Sequence, residues 1–99
     1  MDIISDRWDN KIYITDERWE HIYERHPEIV GHEELVLRAL HLGKRKQLPL
    51  EPNVYKYSAF YDGLPEGNTQ IVVVVKFTHK RNEDRQEIVN NFVITAYMK

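Results

Sequence analysis

The chain predicts an α+β domain, with an N-terminal hairpin and two helices packed on a mostly antiparallel β-sheet. Three observations carry that expectation: an unbroken apolar run at 70–77, runs rich in aromatic and β-branched residues before and after it, and helical periodicity between 16 and 42. In Gln70-Ile71-Val72-Val73-Val74-Val75-Lys76-Phe77 the four valines favour an extended backbone, because branching at Cβ restricts χ1 and packs well on a pleated surface. Apolar at odd and even positions alike, the run reads as a middle strand covered on both faces. Lys76 breaks the pattern. Its ammonium must reach water, an anion or a partner, since burying it unpaired is costly, so Lys76 is the first hint of a site.

Ninety-nine residues with 41% hydrophobic content suit one domain, residues 1–99, around a single sheet. With no cysteine there is no disulfide framework and no thiolate metal site, as is usual in a reducing cytoplasm. The first six residues lack the basic and long apolar regions of a signal peptide, and no apolar run is long enough to cross a bilayer. A cytoplasmic protein without a membrane partner is expected. The net charge of −2 hides an asymmetry: residues 1–34 hold ten acids and four bases, residues 35–99 six acids and ten bases. That permits a basic face and a nucleic-acid role.

Along the chain, Ile3-Ile4 and Lys11-Ile12-Tyr13-Ile14 flank Trp8-Asp9-Asn10, whose Asp-Asn turn chemistry predicts a hairpin. Thr15 is a good N-cap and Asp16-Glu17 an acidic first turn for a helix from about Asp16 to His26, which Pro27 ends. Helical phase groups Trp19, Ile22, Tyr23 and His26 toward the sheet and sets Arg18, His21 and Arg25 opposite. A second helix is expected from Glu33 to Leu42, with Gly43 as its left-handed terminator. Lys44-Arg45-Lys46 then reads most simply as compensation of the helix dipole. Val54 to Tyr61 should be a strand paired through the Asp62–Asn68 turn with the valine strand, and the polar stretch His79 to Glu87 a mobile loop or long turn. The last strand is Asn90 to Tyr97. Strict alternation puts Val93, Thr95 and Tyr97 on one face and Phe92, Ile94 and Ala96, the expected core set, on the other.

Among titratable groups His26 stands out, because imidazole is the natural proton-transfer group near neutral pH. A core histidine bonded to backbone is the competing reading of the same position. No HExxH or DxDxDG pattern occurs, and no metal site or cofactor is expected. Walker, GxGxxG and GxSxG motifs are absent too, which removes the usual signals of nucleotide-driven and serine-hydrolase chemistry. What remains is one histidine, a few cations, and the hydroxyls of Thr95 and Tyr97. Such a set can serve RNA cleavage, where a 2′-hydroxyl loses its proton, the leaving oxygen gains one, and the phosphate charge needs donors.

Several segments then carry a family resemblance. Thr15-Asp16-Glu17-Arg18-Trp19-Glu20-His21-Ile22 with Arg25-His26-Pro27-Glu28, the Gly43-Lys44-Arg45-Lys46-Gln47 segment, Gly67-Asn68-Thr69 leading into the valine strand, and Asn91-Phe92-Val93-Ile94-Thr95-Ala96-Tyr97 together resemble the phage-type branch of the barnase, EndoU, colicin and RelE-like nucleases. The resemblance spans Ile12 to Tyr97. It implies a RelE/barnase-like fold and a metal-independent, toxin-like ribonuclease with RNA as partner and a cognate antitoxin or immunity protein. By motif, His26 matches the helix histidine, and Thr95 and Tyr97 the polar residues of the last strand. Lys76 joins them from the strand pattern alone. Arg25 and the Lys44, Arg45 and Lys46 cluster are expected to hold the substrate. The alternative is a non-catalytic module of the same fold that binds a protein through an exposed aromatic strand, Tyr55, Tyr57 and Tyr61.

Overall fold

Helices form where apolar residues recur every three to four positions, whereas strands form on apolar runs, on alternating residues and, at 44–47 and 79–81, on residues that are all polar. The computed structural model describes residues 1–99 in the order β1 (Asp2–Ser5), β2 (Lys11–Ile14), α1 (Asp16–Arg25), α2 (Glu33–Leu42), β3 (Lys44–Gln47), β4 (Val54–Phe60), β5 (Gln70–Lys76), β6 (His79–Arg81), β7 (Glu87–Val89) and β8 (Asn91–Met98). Six strands form one sheet in the order β1-β2-β8-β5-β4-β3, antiparallel throughout except where β2 meets β8. The β6–β7 hairpin is a separate two-stranded sheet. No helix is long and apolar enough to cross a membrane.

One face of the large sheet is dry. Ile12 and Ile14 of β2, Tyr57 of β4, Ile71, Val73 and Val75 of β5, and Val93 and Ala96 of β8 meet Trp19 and Ile22 of α1 and Val36, Ala39 and Leu40 of α2 in one core. Burying each of these larger side chains contributes about 1.5–3 kcal/mol. Helix α1 starts where expected: the Thr15 hydroxyl accepts a hydrogen bond from the Arg18 backbone N–H at 3.1 Å. It stops one residue early, at Arg25, with His26 as its C-cap.

Four expectations are corrected. Lys44–Gln47, read as cations beyond the end of α2, is an edge strand paired antiparallel with β4, and charged residues suit an edge because they discourage pairing with another chain. Gly43 is extended rather than left-handed, at φ −72°. Its lack of a side chain serves close approach instead, since a Cβ there would stand 2.2 Å from the Ala39 carbonyl oxygen and 2.6 Å from that of Ser58. The polar stretch after β5 is the β6–β7 hairpin, closed by Asn82, whose side-chain oxygen accepts from the Asp84 and Gln86 N–H groups. Lastly, β5 is covered by helices on one face only; on the other, Val72 is buried by its neighbours, Val74 half-buried and Lys76 exposed.

A bulge corrects the faces of β8. The register slips between Val74 and Val75 of β5, so Val74 pairs with Thr95 while Val75 pairs with Val93, and Ile94 is the extra residue. Val93 therefore joins Ala96 in the core, whereas Phe92 falls on the face of Thr95 and Tyr97.

Candidate functional site

The face of the sheet turned away from the core is built of three cross-strand rows. In the first, Lys44, Ser58, Val72 and Tyr97 stand side by side; in the second, Lys46, Lys56, Val74 and Thr95; in the third, Val54, Lys76, Phe92 and Tyr13. No aspartate or glutamate stands in these rows. Lys44, Lys46, Lys56 and Lys76 are all solvent-exposed, and the three ion pairs of the molecule use none of them.

Lys46 and Lys56 are directly opposed across the ladder, an arrangement of like charges that destabilises a sheet. Edge protection accounts for Lys44 and Lys46. It does not account for Lys56 and Lys76, which stand on interior strands. An anion lying across the face would neutralise all four.

Helix α1 borders this face along the part of β8 that β2 leaves unpaired. Arg18 Nη1 donates to the Ile94 carbonyl at the bulge, 3.1 Å away. At the helix end the His26 ring lies against that of Tyr97, with centroids 5.7 Å apart and planes tilted by 37°. The position follows from local sequence: the His26 N–H still closes the last helical turn onto the Ile22 carbonyl at 2.7 Å, and Pro27 then turns the chain away. Glu28, one residue further, brings its Oε2 to 3.6 Å from His26 Nδ1. At that length the pair is an electrostatic contact between a carboxylate and a protonatable ring, too long for a hydrogen bond.

The expected site residues thus divide. His26 and Tyr97 touch, Thr95 lies one row along from Tyr97, and Lys76 lies a further row on, about 14 Å from Tyr97 along the strand direction. Lys44 and Lys46 share their face. Arg25 is exposed in the last turn of α1, seven residues from Arg18 and so within about 20° of it around the helix. Arg45 is on the opposite face. Its Nη1 is 3.5 Å from Asp6 Oδ2, and its guanidinium lies 4.1 Å from the centre of the Trp8 ring and 4.7 Å from that of Tyr55. Sequence reasoning missed Lys56, which the alternation with buried Tyr57 would have placed, and Arg18, which helical phase had assigned to the far side.

Asp6 and Tyr57 complete the Arg45 cluster. The Asp6 carboxylate accepts from the Trp8 and Asn10 N–H groups at 2.9 Å each and from the Tyr57 hydroxyl, which pins the β1–β2 turn to β4. Burial opposes the charge on Asp6, but the hydrogen bonds from Tyr57, Asn10 and Trp8 outweigh it and hold the carboxyl below its ordinary value. Burial, with the bond to Asp6, pushes the Tyr57 phenol up. These groups are structural. The aromatic strand proposed for protein binding is not exposed either: Tyr57 is fully buried, Tyr55 packs on Phe77 at 4.8 Å, and the Tyr61 hydroxyl donates to the Leu35 carbonyl.

No family model, curated protein or solved structure matches the chain.

Proposed function

We propose that the open sheet face binds single-stranded RNA and that the protein is a metal-independent, toxin-like endoribonuclease. The observation that carries this reading is the His26–Tyr97 contact at the border of a face holding four unpaired lysines and no carboxylate. The family resemblance of the helix end and last strand supports it. Electrostatic attraction to phosphates supplies most non-specific affinity for nucleic acid, and a row of lysines on rigid strands offers it along the length of a strand.

In the proposed reaction a base removes the proton of a ribose 2′-hydroxyl, whose oxygen attacks the adjacent phosphorus. The bond to the 5′-oxygen breaks as that oxygen takes up a proton, which leaves a 2′,3′-cyclic phosphate and a 5′-hydroxyl. His26 is the proton-transfer group, with the Glu28 carboxylate 3.6 Å from its Nδ1. The hydroxyls of Tyr97 and Thr95 donate to the phosphate as its charge grows. Lys76, two rows from Tyr97, holds a neighbouring phosphate rather than the reacting one. A cognate antitoxin or immunity protein and a cytoplasmic setting belong to the same proposal.

The test is cleavage of a defined RNA by purified protein. His26→Ala should lower the rate by roughly 10²- to 10⁴-fold without changing the melting temperature by more than a few degrees. Added chelator should leave the wild-type rate unchanged, and mass spectrometry of the product should find a cyclic phosphate. Full activity in folded His26→Ala removes the histidine from the mechanism.

A further inference from the structure

We infer that the cavity beneath the β6–β7 hairpin is a pocket for a nucleobase of the bound RNA, an inference that rests on the ribonuclease reading above. The cavity measures about 430 Å³ and lies at the end of the open face, between the hairpin, the first turn of α1 and the β2–β8 junction. Small-molecule sites run from about 300 to 1,000 Å³, so a base with its ribose is of the right size.

The lining fits a flat, aromatic group attached to an anion. Tyr13 and Phe92, cross-strand partners on β2 and β8, supply two aromatic side chains, and Ile88 of the hairpin faces the same space. Arg18 and Lys80 bring positive charge, neither is ion-paired, and no aspartate or glutamate lines the cavity. Asn90 adds a side-chain amide, whose paired donor and acceptor suit the edge of a base. A gap left by imperfect packing of a hairpin would need none of this polarity.

Position connects the cavity to the lysine rows. Phe92 is the cross-strand partner of Lys76, so a nucleotide whose base entered the cavity would hold its phosphate beside Lys76. The bulge at Ile94 is what makes this possible, because without it Phe92 would face the core. Arg18 links both parts, lining the cavity while its guanidinium is anchored on the Ile94 carbonyl.

The experiment is calorimetric titration of the full chain with adenosine and uridine monophosphates, and with ribose 5-phosphate as the same anion without a base. At least one nucleotide should bind roughly tenfold or more tightly than ribose 5-phosphate. Phe92→Ala should weaken that nucleotide by roughly 5- to 150-fold and leave ribose 5-phosphate unaffected. Phe92→Leu, which keeps most of the bulk, provides the same comparison should the alanine variant fail to fold. Equal affinity for nucleotide and ribose 5-phosphate, or no nucleotide binding at millimolar concentration, overturns the pocket. Cleavage assayed alongside separates the two readings. Nucleotide binding by a wild-type protein that cuts no RNA keeps the pocket and removes the nuclease; cleavage without base discrimination does the reverse.

Discussion

Two adjacent rows of the sheet, one residue apart on each of four strands, contain the same kinds of residue in opposite circumstances. Arg45, Tyr57, Val73 and Ala96 run across the core face, and Lys46, Lys56, Val74 and Thr95 run beside them on the open face. In the first row the cation is stacked between rings and paired with a carboxylate, and the hydroxyl is bonded. In the second, two lysines face each other in water with no carboxylate to pair with. A cation's neighbours decide whether it is held in the fold or left free in water. Lys44, Arg45 and Lys46 are consecutive in sequence, yet the pleat sends the middle one to the other face.

That contrast is broken most severely at Asp6. Asp6→Ala leaves Arg45 without its carboxylate and the Tyr57 hydroxyl without its acceptor, and should destabilise the protein by about 3–5 kcal/mol, measured by urea unfolding. RNA binding by the fraction that remains folded should be unchanged. The sign of the pH dependence follows from the depressed carboxyl. Its stabilisation is fully present above the ordinary value of 3.8 and is lost as pH falls through the lower native value. Asp6→Asn, which cannot titrate, should therefore lose less stability than wild type over that acid range.

A smaller effect is expected where α2 turns into β3. Gly43→Ala must displace the Ala39 and Ser58 backbone oxygens, and should cost about 1–3 kcal/mol in the same unfolding experiment. Wild-type stability in this variant would contradict the reading that close approach of these oxygens is what requires glycine here.

Much of this architecture was legible because one physical signal dominated each element. Thr15 with its acidic first turn announced α1, the valines β5, and the α+β class followed from their order. Strand β3 was hidden because Lys-Arg-Lys-Gln has neither apolar alternation nor β-branching, and only the ladder to β4 makes it a strand. The β6–β7 hairpin hid for the same reason, its sequence being charged and its pairing local. Alternation failed on β8 at one point. A bulge shifts parity by one residue, and nothing in Val93-Ile94-Thr95 marks it, so Phe92 was assigned to the core that Val93 occupies. Contiguity misled at Arg45, where a basic run looked like one patch although an extended chain divides it between two faces.

The division of labour between the two faces is tested most directly by the salt dependence of RNA binding, measured in the His26→Ala background so that the RNA stays intact. Replacing Lys44, Lys46, Lys56 and Lys76 together with alanine should flatten the slope of log Kd against log salt by about 2.8, at roughly 0.7 per phosphate contact on a single strand. Thermal stability should hold or rise slightly, since the opposed Lys46 and Lys56 no longer repel. An unchanged slope in the folded quadruple variant would contradict the account, because the open face would then not be where RNA binds.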